Sequence, residues 1–96
     1  MNFNQLDIKY YLDMFKFDCV AQSVFDYTKK GMPDEKRIYY YTIKNNYRLE
    51  INNLLFIVDY INLFNSYLTL RLKEKLYEPF CLVAYKDIKT ITIKEI

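Results

Sequence analysis

Glycine occurs once in this chain, at Gly31, inside Gly31-Met-Pro-Asp-Glu-Lys36, the clearest punctuation the sequence contains. That break divides a first third that reads as helix from a remainder that reads as strand. Asn4 is suited to cap a helix, with Asp7 in the first turn. Apolar residues then recur at Tyr10, Met14, Phe17, Ala21, Val24 and Tyr27, close to helical spacing. Lys29 and Lys30 fall in a last turn, Gly31 supplies a left-handed cap, and Pro33 stops the helix. Asp18 and Gln22 could cap a second helix after a break. A competing pattern runs through the same stretch: Phe15, Phe17 and Cys19 alternate with Lys16 and Asp18, as in a strand. The helical reading is preferred.

Beyond the break, Arg37-Ile-Tyr-Tyr-Tyr-Thr-Ile43 is dense in aromatic and β-branched residues, and Lys44-Asn-Asn46 reads as a turn before a strand at 47–51. This predicts a hairpin. Residues 52–76 support two readings. Asp59, Asn62, Ser66, Thr69 and Lys73 trace one side of a long helix. Alternation of Leu68, Leu70 and Leu72 with Thr69, Arg71 and Lys73, with a turn at Asn65-Ser66, instead gives strands at 54–60 and 67–73; these are preferred. Residues 80–85 form a further strand, Lys86-Asp87 a corner and 88–93 the last strand, with Ile91 and Ile93 on one face. The expected fold class is α+β in a single domain, 1–96. It has an N-terminal helical segment (one helix or two) over 1–31, then a small, bent antiparallel sheet of about five strands over 37–93.

Composition narrows the chemistry. The chain has 96 residues, enough for one domain, with no histidine, eleven tyrosines and no tryptophan. Lack of histidine removes the commonest general base and metal ligand. A lone glycine cannot build a glycine-rich phosphate cradle. No cysteine or histidine spacing suits zinc, Asp7, Asp13 and Asp18 do not share a helix face, and Ser23 and Ser66 lack an activating base. Cys81, between Phe80 and Leu82, reads as an inert core thiol. The chain is therefore expected to be non-enzymatic, without cofactor or metal. Cys19 and Cys81 are expected to be reduced and buried. With no signal-peptide pattern and no apolar run long enough for a membrane span, a cytoplasmic location without membrane contact is expected. Net charge is +2. Six acids against four lysines make residues 1–35 acidic, whereas 36–96 are basic, ten against six.

Two segments resemble known small β-barrels. Phe64-Asn-Ser-Tyr-Leu-Thr-Leu-Arg-Leu72 resembles the first motif of the Sm-like proteins. Tyr85-Lys-Asp-Ile-Lys-Thr-Ile91 is similar to the final-strand motif of the bacterial Hfq proteins, one residue short, and to the closing strand of YolD-like proteins. The resemblance covers 37–93 and implies an SH3/Sm-like barrel preceded by a helix. Asn65 stands where the family has Asp, Asp87 replaces the Hfq histidine, and the RNA-contacting Arg-Gly pair has no counterpart. The implied fold carries over further than the implied RNA site.

The Tyr39-Tyr40-Tyr41 triplet is the strongest pointer to contact. In a strand, Tyr39 and Tyr41 share one face, which either packs inward or presents exposed rings beside Arg37, Lys44, Tyr47 and Arg48. The second alternative makes Arg37, Tyr39, Tyr41, Lys44, Tyr47 and Arg48 the candidate partner-binding residues, because tyrosine and arginine dominate interface hot spots. With interleaved acids and so small a net charge, a larger host protein or nucleoprotein complex is the expected partner, ahead of nucleic acid itself. By analogy of size and composition, such a chain suits a phage or mobile-element inhibitor of a host defence, anti-CRISPR-like, working by occluding a surface. The alternatives are an Sm-like oligomer that binds RNA or single-stranded nucleic acid, and a YolD-like accessory of a repair polymerase. The edge of the Arg37–Ile43 strand would allow a homodimer.

Overall fold

The structure, a computed structural model, describes residues 3–26 and 34–96, and of 24–26 and 34–36 the backbone alone. The expected helix end at Lys29, Lys30, Gly31 and Pro33, with Tyr27, lies outside the described residues.

Helix α1 spans Gln5–Asp13 and starts where the sequence places its cap. The Asn4 side chain accepts from the Asp7 amide at 2.9 Å, and the Asn4 amide donates to the Asp7 carboxylate at 3.1 Å. This reciprocal box satisfies two amides that a helix start leaves open. The helix is much shorter than expected. Its amides at 14, 15 and 16 bond three residues back, and Lys16 adopts φ 56°, which closes it. The alternation through Phe15, Phe17 and Cys19 then wins, and β1 runs over Cys19–Asp26 where a helix, or a second one capped at Asp18, was expected. The stripe itself shifts too: Ile8 and Leu12 are buried, whereas Tyr10 and Met14 are exposed.

Seven further strands follow among the described residues: β2 Asp34–Thr42, β3 Tyr47–Ile51, β4 Leu54–Phe56, β5 Val58–Leu63, β6 Tyr67–Leu72, β7 Phe80–Ala84 and β8 Ile91–Glu95. They form two antiparallel sheets, β1-β2-β5-β6-β7 and β4-β3-β8. The fold is α+β, as expected, with eight strands rather than about five. Residues 54–73 adopt the strand reading and not the long helix. The last strand begins at Ile91 because 85–87 forms a 3-10 turn.

The expected hairpin across Lys44-Asn-Asn46 is absent. β2 pairs with β5, and β3 pairs with β4, which leads into β5 through Ile57 alone. The chain at 44–46 therefore jogs from one sheet to the other without reversing. The reversal comes later, at Asn52-Asn53, with φ values of 50° and 68°. Ile51 pairs directly with Leu54, so this is a two-residue turn of the mirror-image type that matches strand twist. Asn tolerates the left-handed region better than most side chains, and no glycine is needed. The Asn52 carboxamide also accepts from the amides of Lys89 and Thr90 and donates to the Asp87 carbonyl, fastening this turn to the approach to β8.

The core lies between the inner faces of the sheets and α1, and includes Tyr41, Leu49, Ile61, Leu63, Leu68, Leu70 and Ile88. The helix is bonded to both sheets. Tyr41, fully buried, donates its hydroxyl to Asp13 at 2.6 Å, and Gln5 donates to the Leu63 carbonyl at 3.0 Å. On the other side the Ile93 amide donates to the Tyr11 hydroxyl at 2.8 Å. Rings of Tyr11, Phe15, Phe17 and Tyr47 pack with centroids 5.1–5.8 Å apart, filling the junction. Both cysteines are free, but Cys19 is exposed and Cys81 half-buried, correcting the expectation of two buried thiols. Because β2 lies between β1 and β5, Arg37–Ile43 offers no free edge for the expected dimer.

Burial pushes the Asp13 carboxyl upward, but hydrogen bonds from Lys9 and Tyr41 outweigh it and hold the group below its ordinary 3.8. A depressed folded value contributes stability above the unfolded value that is lost as pH falls through the folded one. The Asp13 side chain is 40% exposed, so the contribution is modest. Chemical denaturation from pH 6 to pH 2 should show this acid-side loss shrink in Asp13→Asn, while Tyr41→Phe should cost about 1–2 kcal/mol at neutral pH. In the same assay Asn52→Ala, which strips three hydrogen bonds, should cost about 2 kcal/mol, and Asn53→Gly should be tolerated.

Candidate interaction surface

Strands send alternate side chains to opposite faces. In the five-stranded sheet, Tyr39, Tyr41, Ile61, Leu63, Leu68, Leu70, Cys81 and Val83 belong to the core or pack against it. The register aligns the opposite set into cross-strand rows. One row is Val20, Tyr40, Asn62, Thr69 and Leu82; the next is Thr42, Tyr60, Arg71 and Phe80. These residues are exposed or half-buried, with Val20 at 65%, Phe80 at 64% and Leu82 at 63%. Arg71 is the one charged residue in the two rows.

Rings on this face are already ordered by one another. Tyr40 and Tyr60, diagonal neighbours on β2 and β5, stack with centroids 5.1 Å apart and planes 29° apart. The Arg71 guanidinium lies 5.9 Å from the Tyr60 centroid, a cation–π arrangement in which the negative face of the ring attracts the cation. At one end, Phe64 and Tyr67 stack at 4.9 Å across the turn between β5 and β6. The Tyr40 phenol is raised above its ordinary value, first by burial and then by the adjoining Tyr60, with Arg71 acting in the opposite direction. It is neutral at physiological pH and able both to donate and to accept.

The sequence-predicted residues do not assemble into one surface. Tyr41 is inside, its phenol pushed well above the ordinary range chiefly by burial and then by its bond to Asp13. Tyr39 packs against the core, with the Lys9 ammonium 5.1 Å from its ring. Tyr47 belongs to the aromatic junction. Arg48 donates to the carbonyls of Asn45 and Tyr47, committing its guanidinium to its own loop. Arg37 and Lys44 are exposed, yet the Arg37 carbonyl accepts from Gln5 on the helix side of the sheet. Of the triplet, Tyr40 is the member on the open face. The residues missed were Tyr60, Arg71, Phe64, Tyr67, Phe80 and Leu82. Their signal lay in period-two alternation against Ile61, Leu63, Leu68 and Leu70, hidden while 52–76 could equally be read as helix.

A second, smaller feature sits where β4 passes into β5. Leu55, Phe56, Ile57, Leu72, Glu74 and Lys75 line a cleft of about 270 Å³, next to a loop whose Leu76 and Tyr77 are 91% and 85% exposed. Among the described residues, no three Cys, Asp or Glu side chains converge as a metal site, and no helix is long and apolar enough to cross a membrane. Compared with protein-family models, curated proteins and solved structures, the chain matches none.

The two faces should respond differently to truncation. Leu70→Ala, in the core, should cost about 3 kcal/mol, whereas Leu82→Ala on the open face should cost under about 1 kcal/mol. Thermal unfolding followed by circular dichroism measures both, and equal losses would mean that the open face is covered.

Proposed function

We propose that this chain is a non-enzymatic binding module that docks a protein partner on the open face of its five-stranded sheet. The observation carrying this reading is a continuous patch of stacked tyrosines, exposed apolar side chains and one arginine, with hardly any charge. Interface cores are enriched in tyrosine, phenylalanine and arginine and depleted in lysine and acidic residues. Pre-stacked rings lose little freedom on docking, which lowers the entropic cost of association. A module of this kind acts by covering part of a larger protein, in line with the expected inhibitor that occludes a host surface.

One observation favours a second reading. Tyr40, Tyr60 and the overlying Arg71 resemble a stacking platform for bases, the element an Sm-like or other single-strand-binding role would need. The scarcity of cations around it supports the protein partner more strongly, since phosphate contacts dominate nucleic-acid affinity.

Affinity capture from a bacterial lysate, with wild type and Tyr60→Ser/Arg71→Glu run side by side, tests the first reading. Loss of the captured partner by at least roughly tenfold is expected for the open-face variant, while Arg37→Ala and Arg48→Ala keep it. Capture that survives the open-face change but fails with Arg37→Ala would overturn the assignment. Anisotropy with labelled single-stranded oligonucleotides at two salt concentrations addresses the second reading, which requires binding that weakens steeply with salt.

A further inference from the structure

Strand β7 ends the five-stranded sheet, and among the described residues no ladder partner lies on its other side. Which backbone groups face that open side follows from its bonds to β6. The Leu72 amide donates to the Pro79 carbonyl and the Tyr85 amide to the Ser66 carbonyl, so positions 79 and 85 are both turned toward β6. Bonded residues alternate along an antiparallel ladder. Phe80, Leu82 and Ala84 therefore present their N–H and C=O groups outward, spaced to receive another strand.

Nothing in this strand protects that edge. Phe80-Cys-Leu-Val-Ala84 contains no charge and no proline, the usual devices against edge pairing. The other edges differ. β8 carries Lys94 and Glu95, β1 includes Asp26, and β4 is three residues long. Glu78, at φ 48°, breaks the extended backbone just before Pro79 and limits any added strand to the neutral run.

We propose that β7 pairs antiparallel with β7 of a second copy of this chain, about a two-fold axis through Leu82. In this register Leu82 faces its own equivalent and Phe80 faces Ala84 of the second copy, so every outward backbone group of the strand finds a partner. The pairing ends where the strand does, because Glu78 at φ 48° and the 3-10 turn at 85–87 leave the extended conformation on either side. Slipping the register by two residues leaves Phe80 or Ala84 without a partner within the strand. Shared pairing joins the two open faces into one surface, with Phe80 and Leu82 of both copies at its centre. This self-association does not depend on the identity of the partner proposed for the open face.

Sedimentation equilibrium of the full chain over a concentration series tests it. The wild type should approach twice its 11.8 kDa mass. Leu82→Lys should remain at the single-chain mass with an unchanged circular dichroism spectrum, Leu82 being exposed. A wild type that stays at the single-chain mass throughout overturns the proposal. So does a dimer that Leu82→Lys leaves intact.

Discussion

The one α-helix among the described residues has nine residues, is roughly 13 Å long, and is seated against both sheets from their inner side. The architecture follows from that seating. By bonding to Asp13 and Gln5 on one side and to Tyr11 on the other, the two sheets close around α1, which lets a small chain bury Tyr41, Leu63, Leu68 and Leu70 completely. Among the described residues no second helix covers the far side of the five-stranded sheet. That side is left to side chains that tolerate water and apolar contact alike, and tyrosine, threonine and arginine meet the requirement. The open face is thus a consequence of how little helix the described residues form.

Much of this was legible in the residues. The Asn4 cap, the strands of 67–72 and 80–84 and the α+β class were recoverable because each depends on local chemistry: a capping side chain, or alternation in a short window. What failed depended on long-range pairing. The region 14–26 carries both a helical and an alternating pattern, and β1 is decided by eight residues of pairing with β2, which no local window contains. Likewise Lys44-Asn-Asn46 has the composition of a reversal, yet β3 is drawn to β4 and β8 and the chain only shifts sheets. Asn52-Asn53, which does reverse the chain, went unread because it lies at the start of the segment whose period was ambiguous.

The tyrosines divide by environment. Tyr41 and Tyr85 are interior, their hydroxyls donating to the Asp13 carboxylate and the Phe64 carbonyl, and burial raises both phenols above the ordinary range. Tyr11 and Tyr47 fill the junction between sheets. Tyr40, Tyr60 and Tyr67 remain on the open face, stacked and able to bond outward. Counting tyrosines in the sequence merges these three populations, and the alternation along each strand separates them.

The hydrogen bond from the Ile93 amide to the Tyr11 hydroxyl spans 82 residues of sequence. A contact of that separation cannot form until Ile93 has been added to the chain and has emerged, long after Tyr11. The helix can coil early on its own capping box, but its seat between the sheets is complete only once β8 has emerged. Until then its apolar side, with Ile8, Leu12 and the Tyr11 ring, has only part of its cover. The seating of α1 is therefore tied to β8, an element far from it in sequence, and is a late, non-local step of folding.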